Sequence, residues 1–142
     1  LVALPKATLL IDTDVLIHHL TDPSILAPFQ KEFAERGVFL STISYMEIYE
    51  GAITKPTARH LQGPLEDMLT EAFTLIPFAY LEARRCAQIK ADLRIQGKRV
   101  RSRALDLMIA ATALEHDLVL ATRNVRDYQD IARLDFLDLS SD

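Results

Sequence analysis

Leu9-Leu10-Ile11-Asp12-Thr13-Asp14 passes from wholly apolar to wholly polar within one residue. An aliphatic run this short, with Thr8 before it, reads as a strand. Ending such a strand on acids is costly unless the carboxylates face water or a cation. In a sheet of parallel strands, the carboxyl ends form the edge where ligands sit. Two later stretches share the pattern of an acid set beside apolar residues: Tyr45-Met46-Glu47, and Leu105 to Ala113 with Asp106 near its start.

Strand-like runs alternate with helical periodicity along the chain. Strands are expected at Thr8–Ile11, Val38–Ser41, Phe73–Pro77, Leu118–Thr122 and Leu134–Leu137. Helices are expected at Val15–Leu20, about Ser24–Arg36, Ser44–Ile53, Ala58–Ala72, Phe78–Gln96, Arg103–His116 and Val125–Ala132. In the second of these, Ile25, Leu26, Phe29 and Phe33 share one face, and Gly37 stops it; Gly97 closes the long helix that ends at Gln96. This alternation implies βαβ units with right-handed crossovers, hence an α/β fold with a central, mostly parallel sheet covered on both faces. No repeat, low-complexity tract or linker divides the chain, so residues 1–142 are expected to form one domain.

The formal charge of −4 argues against a protein that simply coats nucleic acid, yet it leaves a nuclease open, because active-site acids are offset by bound metal. No apolar run is long enough to span a bilayer, and no charged segment leads into a secretory core. The lone cysteine, Cys86, falls in an apolar-periodic helix and reads as a small buried hydrophobe in a reducing compartment. The cytoplasm is therefore the expected location, with no membrane partner.

Each acid carries two readings. Asp12 is either a ligand at the strand end or the N-cap of the next helix, although Asp14 could take the cap and leave Asp12 free. Glu47 is either a site residue or the far half of a capping box opened by Ser44. Asp106 lies in the first turn of its helix, where the helix dipole favours an acid by only about 0.3–1 kcal/mol. The apolar run around it, with Ala110, Ala111 and Ala113, points to a helix packed on the sheet with Asp106 facing a cleft. Clustered carboxylates repel one another, and a divalent cation removes that penalty. All-oxygen ligands select Mg²⁺ or Mn²⁺, ions suited to phosphate chemistry. His18, His19, His60 and His116 show no metal-ligand spacing.

Arg94, Lys98, Arg99, Arg101 and Arg103 crowd the approach to Asp106. They read either as a solvated loop or, for at least one of Arg101 and Arg103, as a contact to a phosphate backbone. Tyr45, Tyr49 and Tyr128 are scattered along the sequence, which for a nucleic-acid partner favours recognition of shape and a short loop over a long stacked strand.

Taken together, Leu10 to Leu16, Glu47 with Gly51, Asp106 to Leu114, and Leu118 to Tyr128 resemble the PIN-domain ribonucleases, and among them the VapC-type toxins of toxin–antitoxin pairs. The resemblance runs over nearly the whole chain. It implies a three-layer α/β/α domain, Mg²⁺- or Mn²⁺-dependent RNA cleavage, frequent homodimers and an antitoxin protein that covers the active site. It also implies that Asp12, Glu47 and Asp106 bind the metal. Asn124 stands where relatives often carry Asp, and Asp127 follows three residues on, so either is a candidate for the fourth position. Thr122 resembles a hydroxyl residue placed near the metal or the scissile phosphate, and reads equally as an ordinary strand-end threonine. Two other functions stay open. Asp12-Thr13-Asp14-Val15 is also similar to the nucleophile motif of haloacid-dehalogenase-like phosphatases, with Asp12 as nucleophile and Asp14 as acid. However, the Gly-Asp pair of those enzymes is missing from the sequence. A PIN fold that binds a partner without cutting is the other.

Overall fold

The computed structural model describes residues 8–29, 35, 37–71 and 73–140. Its five strands are β1 (Leu9–Ile11), β2 (Val38–Ser41), β3 (Phe73–Ile76), β4 (Val119–Thr122) and β5 (Phe136–Asp138). They form one sheet in the order β3-β2-β1-β4-β5, and every neighbouring pair is parallel. The chain steps outward from β1 to β3, then returns to lay β4 on the free side of β1. That reversal makes a switch point between β1 and β4, the crevice where parallel sheets bind ligands.

Helices α1 (Thr13–Thr21), α2 (Thr42–Thr54), α3 (Gln62–Glu71), α4 (Tyr80–Ile95) and α5 (Ala104–Glu115) pack on the two faces. Side chains alternate across the central strands, as strand geometry requires. Leu10 and Leu120 join Cys86, Ile89, Leu93 and Leu107 beneath α4 and α5. Leu9, Ile11, Val119 and Ala121 join Val15, Leu16, Ile48 and Leu65 on the opposite face. Burying each of these larger aliphatics stabilises the fold by about 1.5–3 kcal/mol. Ala110, Ala111 and Ala113 are fully buried, so α5 lies close to the sheet and Asp106, in its first turn, comes with it. Gly97 ends α4 with φ +74°, its N–H donating to the Arg94 carbonyl at 3.0 Å and Lys98 N–H to the Leu93 carbonyl at 2.8 Å.

Three expected helices differ. In place of the helix Ser24–Arg36 stand short 3₁₀ turns at Pro23–Ile25 and Ala27–Phe29, and most of the remainder lies outside the described residues. Pro28 lacks the N–H that a continuing helix would use. The helix expected over Ala58–Ala72 is a 3₁₀ segment, Pro56–Leu61, followed by α3, and Ala72 lies outside the described residues. Val125–Ala132 contracts to one 3₁₀ turn, Val125–Asp127, because the Asp127 carbonyl accepts from the Arg103 guanidinium at 2.7 Å. The last strand is shifted to Phe136–Asp138. Among the described residues, no helix is long and apolar enough to cross a membrane.

Candidate active site

Asp12 stands at the carboxyl end of β1, facing the switch point, and is only 4% exposed. Its backbone N–H continues the ladder to the Ala121 carbonyl at 2.9 Å, which fixes its height beside β4. It is also the N-cap of α1, with Oδ1 accepting from Thr13 N–H at 2.9 Å. Asp14 therefore does not take the cap; its carboxylate is half-exposed and lies 3.7 Å from Arg123. Oδ2 of Asp12 accepts from the Thr122 hydroxyl at 2.8 Å, and that hydroxyl accepts from Asn124 N–H at 2.9 Å. Burial pushes the Asp12 carboxyl above its ordinary value, outweighing the donors from Thr122, Tyr128 and Thr13.

Glu47 is not held in a capping box. Ser41 caps α2 instead, its hydroxyl accepting from Ile43 N–H at 3.0 Å, and Ser44 is buried inside the helix. Glu47 points to α1: Thr13 Oγ1 lies 2.8 Å from Glu47 Oε1 and 2.8 Å from Ser44 Oγ. Burial raises the Glu47 pKa, opposed by the Thr13 hydroxyl and reinforced by Asp12.

Asp106 reaches the same edge from α5. Its partner is Tyr128, a side chain that sequence spacing placed nowhere. The Tyr128 ring is fully buried, and its hydroxyl lies 2.9 Å from Asp12 Oδ1 and 3.3 Å from Asp106 Oδ1. Burial, with the charge of Asp12 next, pushes Asp106 up to about 6. Burial and the two acids drive the tyrosine pKa upward, so the phenol remains a donor. In the sequence Tyr128 was visible as the last residue of the Leu118–Tyr128 stretch that carries the family resemblance, but with no role assigned beside the acids.

Asp12, Glu47 and Asp106 are thus brought to one edge of the sheet, Asp12 and Glu47 linked through the N–H and hydroxyl of Thr13, and Asp12 and Asp106 through the hydroxyl of Tyr128. Among the described residues, no three acid, histidine or cysteine side chains are drawn tightly enough together to grip an ion as they stand. The donor set nonetheless fits a hard cation. It is all oxygen and like-charged, with Asp12 buried and Glu47 and Asp106 half-buried, and each of the three acids is shifted toward its neutral form by that environment.

The remaining candidates separate. Asn124 is exposed at the rim, and Asp127 is half-buried, near enough to Asp106 for its charge to help raise that acid. Arg101 is exposed, whereas Arg103 is buried and committed elsewhere. Its guanidinium donates to both Asp130 oxygens at 2.8 and 2.7 Å, as well as to the Asp127 carbonyl. Arg103 therefore holds the loop after β4 in place rather than standing free for a phosphate. Tyr45 and Tyr49, far from scattered, stack in parallel at 5.7 Å between ring centroids, with the Tyr45 hydroxyl donating to Glu66 at 2.7 Å. His18 faces Arg123 at 3.1 Å and His19 sets an edge against Phe73, consistent with a packed pair rather than ligands.

With this geometry in hand, residues 9–136 match the PIN domain family model, and the chain belongs to the PIN domain family. It is a VapC ribonuclease homologue of the VapBC toxin–antitoxin systems. It is 28% identical over 127 residues to ribonuclease VapC2 of Haemophilus influenzae, covering 88% of this chain and 92% of that protein. A stretch of 69 residues is 41% identical to ribonuclease VapC1 of Rickettsia felis, spanning 49% of this chain and half of that protein. The fold superposes on DNA-bound VapBC from Salmonella typhimurium with a TM-score of 0.83 at 23% identity, covering 94% of this chain and 99% of that one. PIN nucleases are generally metal-dependent. Family membership, with Asp14 turned outward, sets aside the phosphatase reading.

Proposed function

We infer that this VapC-type ribonuclease cuts RNA internally by hydrolysis, with Mg²⁺ or Mn²⁺ held by Asp12, Glu47 and Asp106. The observation that carries the reading is the placing of buried Asp12 and half-buried Asp106 around one shared hydroxyl at the β1/β4 switch point. A fold has no stability reason to bring two like charges there. When bound, the cation lowers the pKa of a water and neutralises charge developing on the phosphate. Thr122 and Thr13 N–H orient Asp12, and the Thr13 hydroxyl orients Glu47 toward the same space. With its pKa near 6, Asp106 is mostly ionised at neutral pH and available as a ligand. Asn124 and Asp127 stand at the rim, where either completes the acid set or orients the attacking water. Arg101, exposed beside α5, is the residue proposed to hold the RNA backbone.

The partners follow from the same site. A cognate antitoxin is proposed to cover this edge and place an arginine against Asp12 or Asp106, since a planar guanidinium pairs with a carboxylate in two parallel hydrogen bonds. We take residues 1–142 as one nuclease domain, acting in the cytoplasm as a homodimer. The purified chain, incubated with structured RNA, is expected to give internal fragments with Mn²⁺ and none with EDTA, and not to hydrolyse a small phosphomonoester. Cleavage undiminished in EDTA would overturn the cation-dependent reading. Expression alone is expected to arrest host growth, and free growth without a co-purifying partner would rule out the toxin role.

A further inference from the structure

We propose that Tyr128 is a positioning residue for the metal-binding acids, acting by fixing which oxygen of Asp12 is left open. This rests on the cation-dependent reading above. An ionised carboxylate offers about four acceptor positions. On Asp12, Thr13 N–H and the Tyr128 hydroxyl take Oδ1, while the Thr122 hydroxyl takes one position on Oδ2. What remains is a single position on Oδ2. Three donors from three different segments hold the carboxylate against rotation, so Asp12 presents one oxygen to a cation in one orientation.

Tyr128 differs from the other two donors in what else it touches. Its single phenolic proton serves one acceptor at a time, and its oxygen lies within reach of Asp106 as well as Asp12. The contact to Asp106 is made at Oδ1, so the phenol serves either acid from one position and leaves Asp106 Oδ2 open to a cation. A phenylalanine would fill the same fully buried space equally well; only the hydroxyl makes the contact with the acids. Standing between Asp12 and Asp106, the hydroxyl also lessens the repulsion between them before any cation arrives.

The test is Tyr128→Phe, with Mn²⁺ affinity measured by calorimetry beside wild type and RNA cleavage followed across a Mn²⁺ titration. Outer-shell partners of metal ligands typically contribute 10–100-fold in affinity, and the variant is expected to bind Mn²⁺ roughly tenfold more weakly. Its cleavage is expected to return toward the wild-type rate as Mn²⁺ saturates, the mark of a lost positioning contact. An unchanged Mn²⁺ affinity overturns the inference. So does a reduced number of sites at unchanged affinity, which would mean that the hydroxyl matters only for folding. Because affinity is read without RNA, the comparison decides the role of Tyr128 even if the nuclease assignment is wrong. Absence of Mn²⁺ binding by the wild type would overturn the cation reading and this inference together.

Discussion

Two clusters of charge, each around one buried member, lie on either side of the loop after β4, and they are built on opposite principles. In one, Arg103 and Asp130 are of opposite sign, joined by two parallel hydrogen bonds, with a third guanidinium donor taken by the Asp127 carbonyl. Asp130 is pulled below its ordinary pKa by that arginine, and Arg103 is pushed up by the same contact. In the other, Asp12 and Asp106 carry the same sign, share a tyrosine hydroxyl and are raised by burial, with mutual repulsion adding to the shift of Asp106. The matched pair holds the chain in position. The like-charged pair strains it in the absence of a counter-ion. Tyr128, next in sequence after Asp127, is delivered to the acids by the loop that Arg103 fixes.

The sharpest way to break this contrast is to neutralise one member of each cluster. Asp106→Asn is expected to lower RNA cleavage by at least roughly a hundredfold, since cation-mediated charge neutralisation contributes several kcal/mol to such reactions. Its melting temperature in EDTA should be equal to or above that of the wild type, because a buried repulsion has been removed. A variant that melts well below wild type would show that Asp106 is structural. Arg103→Ala is expected to do the reverse, destabilising the fold by about 2–4 kcal/mol in urea unfolding, because it leaves Asp130 and a backbone carbonyl without their partner. Restoring most of that stability with Arg103→Met combined with Asp130→Leu would confirm that pairing, rather than the charge itself, is what matters.

The clusters should also respond oppositely to pH. Asp106 titrates at about 6 in the folded chain against 3.8 as an isolated group, so the folded state holds an extra proton between those values. Stability therefore rises as pH is lowered from 7 to 5, by at most about 1 kcal/mol once partial solvent screening is allowed for. Asp130, with its pKa depressed, contributes stability above its unfolded value of 3.8, and that contribution is lost as pH falls through the folded value. Melting temperature in EDTA should climb toward pH 5 and fall in stronger acid. Asp106→Asn should flatten the climb and leave the fall; a climb that persists unchanged would assign it to other groups. A smaller effect than that of Arg103→Ala is expected of Thr122→Val, which removes one donor from the buried Asp12 carboxylate at a cost of about 1–2 kcal/mol, measured by thermal unfolding.

The order of elements was legible in the sequence because strands and helices announce themselves by period. Four of the strands lie within one residue of where apolar runs placed them and the fifth within two, and the abrupt acid after Leu9-Leu10-Ile11 marked the carboxyl edge of the sheet before any pairing was known. Asp12 and Asp106 stood out by the same contrast, an acid against an apolar background. Local signals failed where distant partners took over. The Asp127 carbonyl was claimed by an arginine 24 residues earlier, ending a helix that periodicity extended to Ala132. Ser44 and Glu47 have capping-box spacing, but the chain begins α2 at Thr42, and the Thr13 hydroxyl reaches Glu47 from 34 residues away. Tyr128 lies 116 residues from Asp12. Only the packing of β4 beside β1 brings its hydroxyl between two acids, because sequence period encodes which face a side chain occupies but not what waits on the other side of the fold.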